Sequence, residues 1–211
     1  MTQPIWSQRF FASTRGRIVN LLRRSTLTVD DLARALELTD NAVRAHLTGL
    51  ERDGIVRQQG HRKGVGKPSV AYELTPDIEP ALSSAYRPLL NALLDGLAAT
   101  LAERELVALM RAAGRRLAQE LPALRGDAAT RASAVSATLN DLGGLAVAEH
   151  GPDGWVVRSE GCPLAGVVRQ HPKVCKALEA MIAELAGVTV REHCDRSDER
   201  PKCCFQLVGL R

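Results

Sequence analysis

The chain contains five cysteines, and all of them lie in its last third. Cys162, Cys175, Cys194 and Cys203 are separated by 12, 18 and 8 residues, and Cys204 directly follows Cys203. Because the N-terminus lacks the basic-then-apolar layout of a secretory signal, we expect a cytoplasmic protein. In that compartment, clustered cysteines indicate metal or redox chemistry before structural disulfides.

The spacing of the thiols limits the centre that they can form. Zinc ribbons and fingers usually bring their cysteines in close C-x2–4-C pairs, and this sequence has no such pair. Cys203 and Cys204 are adjacent, and strand geometry would send their sulfurs to opposite faces, so at most one of them easily joins a shared centre. Four dispersed thiolates suit an iron–sulfur cluster, which needs soft anionic ligands and tolerates varied spacing. Zinc and free or redox-switching thiols are the alternatives.

The cysteines require a scaffold that brings distant segments together. Alternating apolar residues after Gly143 and Gly144 predict four short strands, over residues 145–149, 155–158, 188–192 and 204–208. An amphipathic pattern predicts a helix over residues 174–185. The sequence therefore predicts a small α+β domain over residues 143–211, with its cysteines at the ends of elements.

Positive charge is confined to the first third of the chain. The 211 residues have a formal net charge of +4 and are 45% hydrophobic and 25% charged, a composition typical of globular proteins. Residues 1–75 hold 12 Lys or Arg and 7 Asp or Glu, whereas residues 76–211 hold 16 and 17. A basic module on a near-neutral remainder indicates a polyanionic partner for that module. No apolar run reaches the ~18 residues of a membrane-spanning helix, so we expect no membrane partner.

The basic module has the pattern of a winged helix-turn-helix. Apolar periodicity divides residues 14–75 into three short helices and a hairpin. Thr28 is the predicted cap of the second helix, and the third helix carries Val43 and Leu47 on its buried stripe. Helix, short turn, helix is the arrangement whose second helix enters the major groove of DNA. We assign this domain to residues 1–77.

Two groups of side chains in this domain are predicted to contact DNA. The outward face of the third helix carries Asn41, Arg44, Ala45 and Thr48, at spacings of three, one and three. Asn and Arg are shaped for bidentate contacts with adenine and guanine edges. The second group, Arg62, Lys63 and Lys67, belongs to the Gly-rich loop over residues 60–68 of the hairpin. Cations on such a tip suit phosphate or minor-groove contact.

The apolar pattern of residues 78–142 predicts a helical segment that links the two domains. Their first helix has a broad apolar face, formed by Leu89, Leu90, Leu93, Leu94, Leu97 and Leu101. A helix this apolar on one side needs a partner, either the C-terminal domain or a second subunit. We expect a homodimer, because two winged helices gain avidity on a palindromic operator in double-stranded DNA. Packing within the same chain is the alternative.

Two sets of motifs resemble known regulator families. The first, Ala42-Val43-Arg44-Ala45-His46-Leu47 with the returning strand Gly66-Lys67-Pro68 and Tyr72-Glu73-Leu74-Thr75, resembles the winged helix-turn-helix of ArsR/DeoR-like bacterial regulators. The second resembles the C-terminal signature of SufR-type regulators, which are winged-helix repressors that sense iron–sulfur status. It consists of Gly161-Cys162-Pro163-Leu164, His171-Pro172-Lys173-Val174-Cys175, Val190-Arg191-Glu192-His193-Cys194 and Cys203-Cys204-Phe205.

The resemblance implies a homodimeric repressor of cluster-assembly genes that holds one [4Fe–4S] cluster per subunit. The implied ligands are Cys162, Cys175 and Cys203, the last because an aromatic residue follows it after one position. Cys194 is the natural fourth ligand. His171 and His193 lie beside ligand cysteines and are candidate substitutes.

Three other functions stay open at this point. The same cysteines would also serve a sensor of zinc, nitric oxide or thiol oxidants. The last strands look similar to vinyl-reductase-like ligand-binding domains, which would make the protein a small-molecule-binding regulator. A thiol-dependent enzyme or a cluster carrier is the third. Since the sequence has no C-x-x-C, nucleotide loop or carboxylate pair, we expect no enzyme.

Overall fold

The structure is a computed structural model that describes residues 5–62, 68–197 and 199–210. The chain forms two compact units, Met1–Ser84 and Ala85–Arg211, which we call unit 1 and unit 2. The sequence predicted three segments, whereas the structure has two units. The helices that follow residue 85 belong to unit 2, because they bury their apolar residues in the same core as the C-terminal sheet.

Unit 1 combines helices with a three-stranded antiparallel sheet of order β1-β3-β2. Its elements within the described residues are α1 (Ile5–Ala12), α2 (Thr14–Leu22), β1 (Leu27–Thr28), α3 (Val29–Leu36), α4 (Asp40–Arg52), β2 (Val56–Arg62), β3 (Ser69–Leu74) and α5 (Ile78–Leu82). Helix α1 and strand β1 were not predicted. The prediction that a loop begins at residue 60 is wrong. A bulge between Gln58 and Gly60 lets β2 stay paired with β3 as far as Arg62.

The start of α3 is fixed by a reciprocal pair of hydrogen bonds. Thr28 Oγ1 accepts the N–H of Asp31 at 3.2 Å, and a carboxylate oxygen of Asp31 accepts the N–H of Thr28 at 3.0 Å. This capping box satisfies two donors that the first turn of a helix otherwise leaves unpaired. The predicted cap at Thr28 is confirmed, and Asp31 completes it.

Unit 2 packs helices against a four-stranded antiparallel sheet of order β4-β5-β7-β6. Its elements within the described residues are α6 (Tyr86–Thr100), α7 (Glu103–Gln119), α8 (Ala128–Asp141), β4 (Ala146–Gly151), β5 (Gly154–Ser159), a 3₁₀ turn (Pro172–Val174), α9 (Cys175–Ala186), β6 (Thr189–Glu192) and β7 (Cys203–Val208). Helices α8 and α9 contact the sheet and α7 contacts α9, around a core that includes Val157, Phe205 and Leu207. The predicted α+β class and all four predicted strands are confirmed.

The apolar face of α6 is only partly buried. Leu94 is buried, and Leu97 and Leu101 are half-buried. Four other large apolar side chains of α6 are exposed to solvent, and we call them the α6 outer face. They are Tyr86 (64% exposed), Leu89 (58%), Leu90 (41%) and Leu93 (56%). Among the described residues, no helix combines the length and the apolar character needed to cross a membrane.

Candidate nucleic-acid interface and thiol site

Helix α4 presents the predicted base-reading residues to solvent. It begins after Thr39, whose Oγ1 accepts the N–H of Ala42 at 3.3 Å. Val43, Leu47 and Leu50 are fully buried and fix one side of the helix against unit 1. The opposite side is therefore exposed, and it carries Asn41, Arg44, Ala45 and Thr48. His46 is half-buried at the edge of this surface.

Strands β2 and β3 form the wing. Gln58 Nε2 donates to a carboxylate oxygen of Glu51 on α4 at 2.9 Å, so the wing and α4 are held together. Arg62, at the end of β2, has a 63% exposed side chain and lies 3.3 Å from Asp31, a carboxylate that already caps α3. An exposed ion pair of this kind is weak enough for a phosphate to replace the carboxylate. Lys63 and Lys67 lie outside the described residues.

The four predicted ligand cysteines come from four separate segments of unit 2. Cys162 follows the end of β5, Cys175 is the first residue of α9, Cys194 follows β6, and Cys203 is the first residue of β7. All five cysteines are free. Cys162, Cys175 and Cys203 are buried, and Cys194 is half-buried beside them in the core.

The thiols of these cysteines form a continuous chain of contacts. Neighbouring thiols interact pairwise, Cys162 with Cys203, Cys203 with Cys194, and Cys194 with Cys175, and the sulfurs of Cys175 and Cys194 lie within 4.8 Å of each other. We call this set the thiol site. Two backbone N–H groups also reach its sulfurs: Leu164 donates to Cys162, and Cys204 donates to Cys194 at 3.4 Å.

Cys204 lies apart from the thiol site. Its side chain is half-buried, and Nη1 of Arg158 lies 3.6 Å from its sulfur. Alternation along β7 explains the difference, because Cys203 points into the core while Cys204 points to the other face of the sheet.

Contacts among the thiols set their pKa values. The hydrogen bond from Cys203, helped by the N–H of Leu164, lowers the pKa of Cys162 against the effect of burial. The same bond is the largest influence that raises the pKa of Cys203, and the bond to Cys194 is the largest that raises the pKa of Cys175. Ionising several of these thiols would bury like charges side by side. A thiophilic cation removes that obstacle, so the donor set fits a metal centre.

Two charged residues that sequence reasoning missed adjoin the thiol site. A carboxylate oxygen of Glu192 and the sulfurs of Cys175 and Cys194 all lie within 4.8 Å of one another. The guanidinium of Arg196 pairs with Glu192, and its Nη1 lies 3.4 Å from the carbonyl oxygen of Cys194. The four-residue spacing of Glu192 and Arg196 was the available signal, but such spacing is common on protein surfaces.

Neither candidate histidine belongs to this group of donors. The side chain of His193 is exposed, and its backbone N–H donates to the carbonyl oxygen of Cys204 at 2.8 Å. His171 has a side chain only 10% exposed, with Nε2 3.4 Å from a carboxylate oxygen of Asp95 on α6. Its ring is thus directed to α6.

Helix α6 holds the segment that joins the first two cysteines. Asn91 Nδ2 donates to the carbonyl oxygen of Gly166 at 3.4 Å, and Gln170 Nε2 donates to Asp95 at 3.0 Å. Lys173 pairs with Glu103 at the start of α7. Residues 163–174 are therefore attached to both α6 and α7.

Comparison with known proteins concerns part of the chain. A family model described as bacterial regulatory protein, arsR family, matches residues 12–58. Among solved structures, reduced HlyU from Vibrio cholerae N16961 is similar at 30% identity, over 41% of this chain and 82% of that one, with a TM-score of 0.29. The adhesin competence repressor AdcR from Streptococcus pyogenes is 23% identical over 46% and 71%, with a TM-score of 0.29. A mutant of S. aureus MepR bound to an oligodeoxyribonucleotide is 20% identical over 47% and 75%, with a TM-score of 0.31. No curated protein matches the chain.

The matched residues include α2, α3 and α4, which are the helix-turn-helix and its supporting helix. With the exposed face of α4 and the wing, they define the class of the protein: it is a winged helix-turn-helix transcriptional regulator that binds DNA. Within unit 1, residues 12–58 are similar to the arsR family of bacterial regulatory proteins. The family match ends before the first cysteine, so the thiol site takes no assignment from it.

Proposed function

We propose that this regulator is a repressor whose affinity for its operator is controlled by a [4Fe–4S] cluster bound in unit 2. The observation that carries the proposal is the thiol site, where the thiols of four cysteines from distant segments interact with one another, three of them buried and Cys194 half-buried. The SufR-type resemblance around the same cysteines supports this function and suggests cluster-assembly genes as targets.

The donor set has the chemistry that such a cluster requires. Four soft sulfur ligands from Cys162, Cys175, Cys194 and Cys203 would hold it, and backbone N–H groups already point at two of them. When bound, the cluster would supply an iron centre whose presence or oxidation state reports iron–sulfur supply. The residues around it bury the sulfurs and keep the four segments in register.

The chain connects the thiol site to a surface suited to dimerisation. Asn91 and Asp95 on α6 hold the segment between Cys162 and Cys175. Another side of the same helix is the α6 outer face, whose four apolar side chains are exposed to solvent. We infer that two copies pair through this face, which removes it from water. A rearrangement of residues 163–174 would then alter the dimer and the spacing of its two α4 helices. A coupling of ~1–3 kcal/mol changes operator affinity about 5–150-fold, which is enough for regulation.

Anaerobic purification followed by metal analysis tests the proposal. We expect a coloured protein with about four irons and four sulfides per chain. Cys175→Ser should lose the cluster, because it removes a sulfur of the thiol site. Cys204→Ser is the matched control and should keep it, because Cys204 lies on the other face of β7. Fluorescence anisotropy with an operator fragment should show different affinities for the loaded and the cluster-free protein.

Three results would contradict this function. A colourless protein that contains zinc would show that the regulator is a zinc sensor and not a cluster sensor. Equal iron content in the two serine variants would show that the cysteines of the thiol site are not the ligands of the cluster. Equal operator affinity with and without the cluster would leave the centre without a regulatory role.

A further inference from the structure

We propose that Arg196, held in place by Glu192, is a positioning residue that sets its positive charge against Cys175 and stabilises the metal centre of the thiol site. The inference rests on the proposed function only in requiring a thiolate-bound metal at this site, whichever metal that is.

The guanidinium of Arg196 is fixed at the thiol site by three neighbours. Its Nη1 lies 3.4 Å from the carbonyl oxygen of Cys194, and its Nη2 pairs with the carboxylate of Glu192, an oxygen of which lies within 4.8 Å of the Cys175 sulfur. Against the lowering effect of burial, interaction with the Cys175 thiol raises the pKa of Arg196. The side chain is 27% exposed, and its Nε atom is buried without a hydrogen-bond partner among the described residues. A buried donor without an acceptor costs free energy, and an anionic centre on the neighbouring sulfurs is one way to satisfy it.

Glu192 is committed to this arrangement rather than to a metal. Its side chain is only 8% exposed, and its Oε1 accepts the N–H of Cys194 at 2.9 Å as well as the guanidinium of Arg196. Its other oxygen lies 3.5 Å from Nζ of Lys176. Although the carboxylate lies within 4.8 Å of two sulfurs, both of its oxygens already face donors. Glu192 therefore orients Cys194 and Arg196 together.

A cation in this position acts on the charge of the centre. A metal held by four thiolates is anionic overall, and partial burial strengthens its interaction with a neighbouring positive charge. Removing that charge should weaken the retention of metal. It should also favour the oxidised, less negative state of a redox-active centre, so the reduction potential should become more negative.

Cobalt binding to the metal-free protein tests the inference without a cluster. Thiolate-to-cobalt charge-transfer absorption reports the dissociation constant directly. We expect Arg196→Gln to bind Co²⁺ about 10–100-fold more weakly than the unmodified protein, the usual cost of losing a partner of a metal ligand. Arg196→Lys should recover part of the loss, because it keeps the charge without the two-pronged contact. Arg191→Gln, an exposed residue next to Glu192 on β6, removes the same charge outside the site and should bind Co²⁺ normally.

A second measurement separates positioning from folding. Thermal unfolding of the metal-free variants should show Arg196→Gln folded, and in cluster-loaded protein its reduction potential should be more negative than that of Arg191→Gln. Normal cobalt affinity in Arg196→Gln, or a loss no greater than that of Arg191→Gln, would overturn the inference. Failure of the unmodified protein to bind Co²⁺ through its thiols would overturn it as well. If all cobalt predictions hold but purified protein carries no cluster, the proposed function fails and the role of Arg196 stands.

Discussion

Gly114 on α7 and Ala177 on α9 are in such close contact that a methyl group at position 114 would lie 2.0 Å from the carbonyl oxygen of Ala177. Ala177 belongs to the first turn of the helix that starts at Cys175. Because the contact is between backbones, α7 and the start of α9 can be this close only with glycine at position 114. The helix that carries Cys175 is therefore fixed to α7.

Replacing this glycine should destabilise unit 2. Gly114→Ala forces the two backbones apart, and we expect a loss of about 1–3 kcal/mol or more in the free energy of unfolding, with weaker metal retention. Gly96→Ala on α6 is the matched control, since nothing lies within 4 Å of the added methyl group. Because alanine favours a helix, this control should be stabilised by up to about 1 kcal/mol. Urea unfolding measures both, and equal stabilities would refute the close packing.

The sequence predicted the fold of unit 1 well because its signals are local. Thr28 and Thr39 cap the two helices of the helix-turn-helix, and the apolar stripe of α4 is regular over three turns. The bulge at Gly60 was missed, because a single glycine does not tell whether a strand ends or bends. In unit 2, the strands were predicted from alternation, but no local signal tells that α6 and α7 join the core of the sheet.

The thiol site was predictable only in part. Cysteine is rare enough in this chain that its clustering alone pointed to one shared centre, and the structure brings those four sulfurs together. Glu192 and Arg196 could not be identified, because charged residues are common and their role depends on an interaction with Cys175, 21 residues earlier in the chain for Arg196. Contacts between distant segments carry the information that spacing lacks.

Acid should weaken unit 1 through the capping box. Hydrogen bonds from the N–H and then the hydroxyl of Thr28 hold the pKa of Asp31 below its usual value. A carboxylate with a depressed pKa in the folded state stabilises the protein above its unfolded pKa of about 4, and this contribution is lost as the pH falls through the folded pKa. We expect Asp31→Asn to cost about 1 kcal/mol at neutral pH, with a smaller difference below about pH 4.

Urea unfolding at several pH values, followed through amide signals of α3, measures the effect of Asp31→Asn. Asp30→Asn is the control, because this exposed neighbour lies in the same turn and has no part in the capping box. A pH-independent difference between Asp31→Asn and the unmodified protein would argue against the assigned role of Asp31.

Two cations of unit 1 should affect DNA binding differently. Arg44 is exposed on α4, so we expect Arg44→Ala to reduce discrimination between operator and unrelated DNA by ~1–3 kcal/mol. Lys67→Ala removes a predicted phosphate contact and should weaken binding to all DNA alike, lowering the salt slope by about one. Anisotropy titrations over a range of salt concentrations separate the two effects. If both variants lost the same affinity for operator and for unrelated DNA, the assignment of base reading to Arg44 and phosphate contact to Lys67 would be contradicted.

The α6 outer face should hold the dimer together. Replacing Leu89 and Leu93 by Glu places two charges on a surface that we infer to be buried between copies, so the variant should be monomeric. Its affinity for a palindromic operator should fall by about 10²–10⁴-fold as avidity is lost. Leu145→Glu is the control, since this 69% exposed residue is not part of the α6 outer face. Light scattering measures the mass, and a monomeric unmodified protein or a dimeric double variant would exclude this interface.

The four sulfurs of the thiol site are widely spaced along the chain, and the segments that carry them meet only after β5 has paired with β7. During synthesis, no shorter stretch of nascent chain therefore possesses a complete set of ligands. Insertion of the proposed cluster should therefore follow translation of Cys203 rather than accompany it, and the loaded fraction of a preparation should report how many molecules have finished folding unit 2.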